Sequence, residues 1–275
     1  MGNRSCALVT GASMGLGKAF ARLCAARGKD LLLVALPRSG LPELAGELAA
    51  RWSIRVVYLE ADLTESGVIE KVAELLRSRG LRLDLAINNA GIGEPGTFSD
   101  FPMAYHEDTI ALNITALTRL CRLAVAEFGE RDGCGILNVA SLGSLYPMPG
   151  MAVYSGTKSF VRCFTLALRE ELAGRVRVSV LCPNAFVTTP VSAAYIASCG
   201  LASRLACLSP ERIALEGLDG LERGAATIYP GRFNALLALL ARIAPHSLAC
   251  AAVKHYWSGF MKDRPTLWHR SGAAL

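Results

Sequence analysis

Residues 6–17 read Cys6-Ala7-Leu8-Val9-Thr10-Gly11-Ala12-Ser13-Met14-Gly15-Leu16-Gly17: a short apolar run ending in threonine, a turn with three glycines, and the start of a segment with helical period. A run of this kind reads as a strand buried on both faces. Glycines at 11, 15 and 17 allow a tight turn whose backbone approaches a ligand closely, and a helix opening directly after it favours the charge of a pyrophosphate. The spacing is not G-x-G-x-x-G, and a glycine turn alone can be a bare strand-to-helix connection. Its place at the first βα junction gives it weight and makes Gly11, Ser13, Met14, Gly15, Leu16 and Gly17 candidate phosphate-binding positions.

Outward from this unit the alternation repeats. With Cys6–Thr10, strand-like runs at Leu31–Ala35, Val56–Leu59, Leu83–Asn88, Gly135–Val139 and Val178–Leu181 alternate with helix-period segments at Gly15–Arg27, Pro42–Trp52, Gly67–Arg79, Ala104–Glu127 and Ala152–Leu172. The rhythm predicts a parallel sheet with helices on both faces. Right-handed crossovers then give a doubly wound, Rossmann-type α/β/α sandwich whose ligand crevice lies at the carboxyl ends of the strands. After Pro190 the rhythm weakens: Val191–Leu208 is apolar and without clear period, the profile of a wall over a pocket. Ser209-Pro210-Glu211 reads as a helix start, Ala226–Pro230 as a last edge strand, and Arg232–Ile243 as a final helix stopped by Pro245. The expected organisation is one dinucleotide-binding and catalytic domain over residues 1–230, with a C-terminal helical extension, 231–275, packed on it.

Composition narrows the partners. With 52% hydrophobic and 19% charged residues, the 275-residue chain can bury a core and is not a disordered or fibrous protein. Nine scattered cysteines without a CxxC pair read as small buried hydrophobes in a reducing, cytoplasmic setting, and no metal site is expected. The first residues lack a long apolar segment and read as no secretory leader. Residues 231–275 carry Arg232, Arg242, Lys254, Lys262, Arg264 and Arg270 against Asp263, so +5 of the net +6 sits in the tail. No stacking platform or reading helix accompanies that charge, which speaks against nucleic acid. The stripe Phe233, Leu236, Leu237, Leu239, Leu240 and Ile243, followed by Trp257, Phe260 and Trp268, either lies peripherally in an anionic membrane surface or packs on the core or a second subunit.

The chemistry gathers at later strand ends. Asn88-Asn89-Ala90-Gly91 closes the fourth strand, Ser141 follows the fifth, and Tyr154-Ser155-Gly156-Thr157-Lys158 opens the next helix. Four residues apart, Tyr154 and Lys158 share a helical face, where an ammonium can favour phenolate. Ser141, leaving a strand end toward the same crevice, supplies a hydroxyl to bind a substrate oxygen while the tyrosine gives or takes a proton.

Taken together, Thr10–Gly17, Asn88–Gly91, Asn113, Ser141, Tyr154 and Lys158 resemble the short-chain dehydrogenases/reductases in order and spacing, over roughly residues 5–190. The resemblance implies a nicotinamide cofactor and hydride transfer to or from a carbonyl or alcohol carbon. Tyr154 then acts as general acid/base, Ser141 orients the carbonyl, Lys158 tunes Tyr154 and holds the nicotinamide ribose, and Asn113 anchors a water relay to Lys158. A lone Asn inside a helix can equally be a kink or a cap. The same resemblance makes Asp62 and Leu63 adenine contacts, places Asn89, Ala90 and Gly91 beside the cofactor, and assigns Pro183, Phe186 and Thr188 to the carboxamide. Asn184 stands where the family has glycine and tolerates positive φ, so the turn can survive; Phe186 replaces a small residue.

The second strand ends in Ala35-Leu36-Pro37-Arg38, with no acid for ribose hydroxyls, which favours NADP (NADPH) over NAD and makes Arg38 a candidate partner of the 2′-phosphate. Arg38 on a solvated loop is the alternative. Leu142–Met151 and Val191–Leu208, with Arg204 their one charge, imply an apolar ketone, 3-oxoacyl or steroid-like substrate. The tail resembles the ketoacyl and steroid reductase branch more loosely, and the long helices resemble those that make homo-oligomers in the family. A non-catalytic NADP(H)-binding sensor or scaffold is the competing class; it has no need of the full proton-transfer set.

Overall fold

The structure, a computed structural model, describes residues 5–184, 206–245, 247–248, 250–251 and 253–254. Among these, strands β1 (Ser5–Thr10), β2 (Asp30–Ala35), β3 (Val56–Glu60), β4 (Arg82–Asn88), β5 (Cys134–Val139), β6 (Val176–Leu181) and β7 (Thr227–Ile228) form one parallel sheet in the order β3-β2-β1-β4-β5-β6-β7. The order reverses between β1 and β4, so the crevice expected of a doubly wound sheet opens above the ends of these two strands.

Helices α1 (Gly15–Ala26), α2 (Leu41–Trp52) and α7 (Pro210–Glu222) cover one face, and α3 (Val68–Ser78), α5 (Leu117–Phe128) and α6 (Ala152–Glu171) the other. The reason is visible residue by residue. Cys6, Leu8, Leu32 and Val34 point into one layer, and Ala7, Val9, Leu31 and Leu33 into the opposite one. Both layers are apolar, so the strands read as continuous hydrophobic runs rather than as alternation. Leu8, Leu31, Leu32 and Leu33 are fully buried, each contributing about 1.5–3 kcal/mol of transfer free energy. α7 starts as expected, with Ser209 Oγ accepting from Arg212 N and Pro210 in the first turn.

One element differs from expectation. The helix expected over Ala104–Glu127 is a helical run, Met103–Phe128, in which α4 (Met103–Ile110) passes through a π turn, Ala111–Ala116, before α5. Asn113 lies in that turn and is drawn toward Ile92 by two hydrogen bonds. The run is long and apolar enough to cross a membrane by length and composition; here Leu117, Leu120, Cys121, Ala124 and Phe128 of α5 pack in the core beneath the sheet. The expected last helix is α8 (Arg232–Ile243), whose buried positions are Asn234 and Ala238 while Leu236, Leu239, Leu240 and Ile243 face outward. Asn234 Nδ2 donates to Ala206 O and Pro230 O at 2.9 and 2.8 Å, and its Oδ1 accepts from Asn184 at 3.1 Å. Asn234 thus ties the first turn of this helix to Ala206, Pro230 and Asn184.

Candidate active site

The end of β4 is fastened to the glycine turn. Asn89 N and Ala90 N both donate to Thr10 Oγ1 at 3.1 Å, and Asn89 Nδ2 donates to Thr10 O and Gly11 O at 2.9 and 3.3 Å. At Gly11 and Gly17 the turn has no space for a side chain: a Cβ on Gly17 would stand 1.9 Å from Gly11 O, and one on Gly11, at φ +63°, 2.9 Å from Asn89 Nδ2. α1 then begins behind Met14 with no side-chain cap and no acid in its first turn, leaving its first N–H groups for an anion. This bare backbone cradle fits a dinucleotide pyrophosphate. Leu16 is buried below it and has only its backbone to offer, whereas Met14 is exposed and Ser13 half-buried beside it.

Gly91 is the meeting point of the polar groups. A Cβ there would lie 2.9 Å from Asn113 Oδ1 and 3.1 Å from Lys158 Nζ. Asn113 Oδ1 accepts from Ile92 N at 2.9 Å, and its Nδ2 donates to Ile92 O at 2.9 Å and to Thr157 Oγ1 at 3.0 Å. With both amide protons committed, this side chain positions the β4 end loop and α6. Lys158 is buried and donates from Nζ to Val139 O at 2.9 Å, with Nζ 5.8 Å from the Tyr154 ring centroid. The ring of Tyr154 lies against the backbone of Gly93, where a Cβ would come within 2.0 Å of Cδ2. Tyr154 hydrogen-bonds to Ser141, and Ser141 Oγ accepts from Gly143 N at 3.1 Å. Pro183 O accepts from Leu142 N at 2.8 Å, clamping the Ser141 loop to the end of β6.

The expectation that Lys158 favours the phenolate of Tyr154 is not met here. Burial raises the Tyr154 pKa, the Ser141 hydrogen bond opposes it, and Lys158 does not figure among the causes. Lys158 is itself lowered to about 8 by burial. Desolvation is the largest cause at Tyr154, and the Lys158 ammonium directs one of its protons to Val139 O.

The short chain dehydrogenase family matches residues 5–198. The chain belongs to this family. It is similar to a short-chain dehydrogenase from Sphingobium yanoikuyae solved in complex with NADPH, with 29% identity, coverage of 97% of this chain and 99% of that one, and a TM-score of 0.73. A bulky-bulky ketone specific alcohol dehydrogenase from Comamonas testosteroni matches with 25% identity over 97% of each chain, at a TM-score of 0.73. The very-long-chain 3-oxoacyl-CoA reductase of Bos taurus is 30% identical over 60% of this chain and 54% of its own length. The chain thus spans about half the length of the curated relatives it matches.

Other assigned positions of this short-chain dehydrogenase lie farther out. Asp62 Oδ1 is held by Thr64 N and Oγ1 at 2.8 and 2.7 Å, and Leu63 is buried, both just after β3. Arg38 is exposed in a left-handed conformation, φ +61°, and its backbone N donates to Glu60 Oε1 at 2.9 Å. The end of β2 is therefore not free of acid: Glu60 arrives from β3, in register with Ala35. Asn184 is not at positive φ; the non-glycine residues described there are Arg38 and Ser53, and the Asn184 amide instead donates to Asn234. Phe186 and Thr188 lie outside the described residues, as does 191–205 of the expected substrate wall.

Four contributors went unassigned at the sequence level. Thr10 latches β4, Thr157 holds Asn113, Gly93 seats the Tyr154 ring, and Tyr105 Oη accepts from Glu94 N at 2.6 Å beside it. Each acts through a partner distant in sequence. The one local signal was Thr10, which ends an otherwise apolar strand.

Proposed function

We propose that this chain transfers a hydride between a nicotinamide cofactor, NADPH in preference to NADH, and the carbonyl or alcohol carbon of an apolar substrate. The observation that carries the reading is the hydrogen-bonded Ser141–Tyr154 pair beside Lys158 and Asn113, facing the glycine cradle across Gly91. The nicotinamide supplies or accepts the hydride when bound. Ser141 and Tyr154 donate hydrogen bonds to the substrate oxygen, and in reduction Tyr154 passes its proton to that oxygen as it becomes an alcohol; oxidation runs the proton back. A phenol kept protonated by burial suits the reductive direction. Lys158 and Asn113 hold the ribose side of the site in place, and the amides of the glycine turn would hold the pyrophosphate.

An apolar substrate is supported by the aromatic and apolar wall of the cleft beside Tyr154, formed by Phe101, Tyr105, His106 and Met151. For NADPH, the exposed Arg38 guanidinium is the group offered to the 2′-phosphate, while Glu60 is engaged by the Arg38 backbone. The same proposal includes a homo-oligomer built on the long helices, where Ile110 and Phe160 are exposed, and a cytoplasmic protein with peripheral membrane contact through the outward leucines of α8. Light scattering and sedimentation with anionic vesicles test these two points.

The decisive experiment follows NADPH consumption on a panel of bulky ketones, 3-oxoacyl thioesters and keto-steroids, with Tyr154→Phe alongside. Turnover that the variant loses while it still binds NADPH is the expected result. Equal rates for both proteins would overturn the assignment of Tyr154.

A further inference from the structure

The segment between Gly91 and α4 is pinned along its length. Gly96 N donates to Gly150 O at 2.7 Å, Thr97 N donates to Asp100 Oδ2 at 2.6 Å, and His106 Nε2 donates to Phe98 O at 2.9 Å. Two stacked ring pairs join this segment to α4: Phe101 against Tyr105, with centroids 4.3 Å apart, and Phe98 against His106, at 4.6 Å with planes only 4° apart. Phe101 rests on Gly96, where a Cβ would stand 2.3 Å from its Cε2, as Tyr154 rests on Gly93. Phe98, Phe101, Tyr105 and His106 line one cleft together with Tyr154.

Burial separates the four rings. Phe101, Tyr105 and His106 are buried, whereas Phe98 is 62% exposed. One exposed phenylalanine is ordinary on a protein surface. This one is held, with one face on an imidazole and its carbonyl hydrogen-bonded to the same ring, so its other face stays bare at the rim of the cleft. Two further polar groups of the wall are turned onto backbone: Thr109 Oγ1 donates to Tyr105 O at 2.7 Å, and Tyr105 Oη accepts from Glu94 N at 2.6 Å. No Lys or Arg is among the described lining residues, and Glu94 is their one acid. A flat, neutral ring can stack with an offset on such a face. A straight acyl chain gains no ring contact there and loses freedom about each rotatable bond.

We propose that Phe98, backed by His106, forms a stacking subsite for a flat ring of the substrate, which makes Phe98 a specificity-determining residue. This rests on the reductase reading above and narrows its substrate class to neutral ketones that carry an aromatic ring system. Because Phe98 and Tyr154 share one cleft, the stacked ring and the reacting carbonyl belong to the same molecule. The buried Phe101–Tyr105 pair supplies the fixed part of the wall.

The test uses the full chain with NADPH and three ketones of equal carbon count: acetylnaphthalene, its saturated counterpart acetyldecalin, and a straight-chain methyl ketone. The parent should show its lowest KM with acetylnaphthalene. Phe98→Leu keeps an apolar side chain and removes the ring; it should cut the KM preference for acetylnaphthalene over acetyldecalin by about 5- to 10-fold, and Phe98→Tyr should retain that preference. Calorimetric titration of acetylnaphthalene into the protein with NADP⁺, which has no hydride to give the ketone, is a second readout and should weaken in Phe98→Leu to the same degree. Equal KM for acetylnaphthalene and acetyldecalin in the parent, or an equal effect of Phe98→Leu on all three ketones, overturns the subsite. So does a change of oligomeric state in Phe98→Leu with the KM preference intact, which would make Phe98 a subunit contact. Absence of turnover with every ketone would instead sink the reductase reading, and the titration would then decide the subsite alone.

Discussion

Gly93→Ala should disable the site without altering any side chain that performs the chemistry. A Cβ at this position would stand 2.0 Å from Tyr154 Cδ2 and 2.6 Å from both Cε2 and Cγ. Non-bonded carbons rest about 3.5 Å apart or more, so the ring must retreat by roughly 1.5 Å. Movement of a single edge atom cannot relieve the contact, because three ring atoms share it. The retreat carries the phenol away from Ser141, and misplacement by about 1 Å can cost on the order of 100-fold in rate. The expected outcome is a kcat about 100-fold lower on a bulky ketone, with NADPH affinity unchanged because the glycine turn and the Asn89 latch are untouched. Steady-state nicotinamide absorbance gives the rate, and titration gives the affinity. A near-parental kcat would refute the reasoning, since it would mean that the ring does not lie on Gly93 in the working enzyme.

Arg38→Ala should raise KM for NADPH about 10-fold and leave that for NADH alone, because a charge-assisted bond to a phosphate is lost; parallel shifts for both cofactors would refute it. Lys158, lowered from 10.5 to about 8 by burial, binds its proton more weakly in the folded than in the unfolded chain. Stability should therefore rise with pH between these values, and below pH 8 the burial cost, on the order of 3 kcal/mol, is fully present. Urea titrations of parent and Lys158→Met across this window should show the parent gaining on the variant as pH rises, and a constant difference would contradict the shift. Gly46→Ala, in α2 with nothing within 4 Å of the new Cβ, should stabilise by about 1 kcal/mol, read as a rise in Tm with unchanged kcat.

What the sequence reveals and what it hides divide along the range of the interactions. β1, β2, β4, β5 and β6 were legible because both of their faces are apolar, and α8 because Pro245 follows it. The direction in which α8 faces was not legible: six apolar side chains left a membrane surface, the core and a second subunit all open, and the structure turns Leu236, Leu239, Leu240 and Ile243 outward with Asn234 and Ala238 beneath. Ser141, Tyr154 and Lys158 stood out by spacing, yet the balance that raises Tyr154 depends on burial that no spacing encodes. Glu60 was missed because it reaches the end of β2 from the neighbouring strand, through register alone. The π turn was invisible because the hydrogen bonds that accompany it, between Asn113 and Ile92, cross from another loop.

That π turn also governs rotation. Successive residues of an α-helix advance by about 100°, so the wide turn at Ala111–Ala116 sets the angular phase between α4 and everything that follows it. The wide turn takes in about one residue more than an α turn for the same rotation, so deleting one residue there would restore a regular helix and leave Leu117, Leu120, Cys121 and Ala124 on the sheet while displacing Asn113. The π turn thus separates two requirements: it lets Asn113 reach Ile92 while the core face of α5 keeps the phase an ordinary helix would give it, so the polar site could be lost by a one-residue deletion that the hydrophobic layer would hardly register.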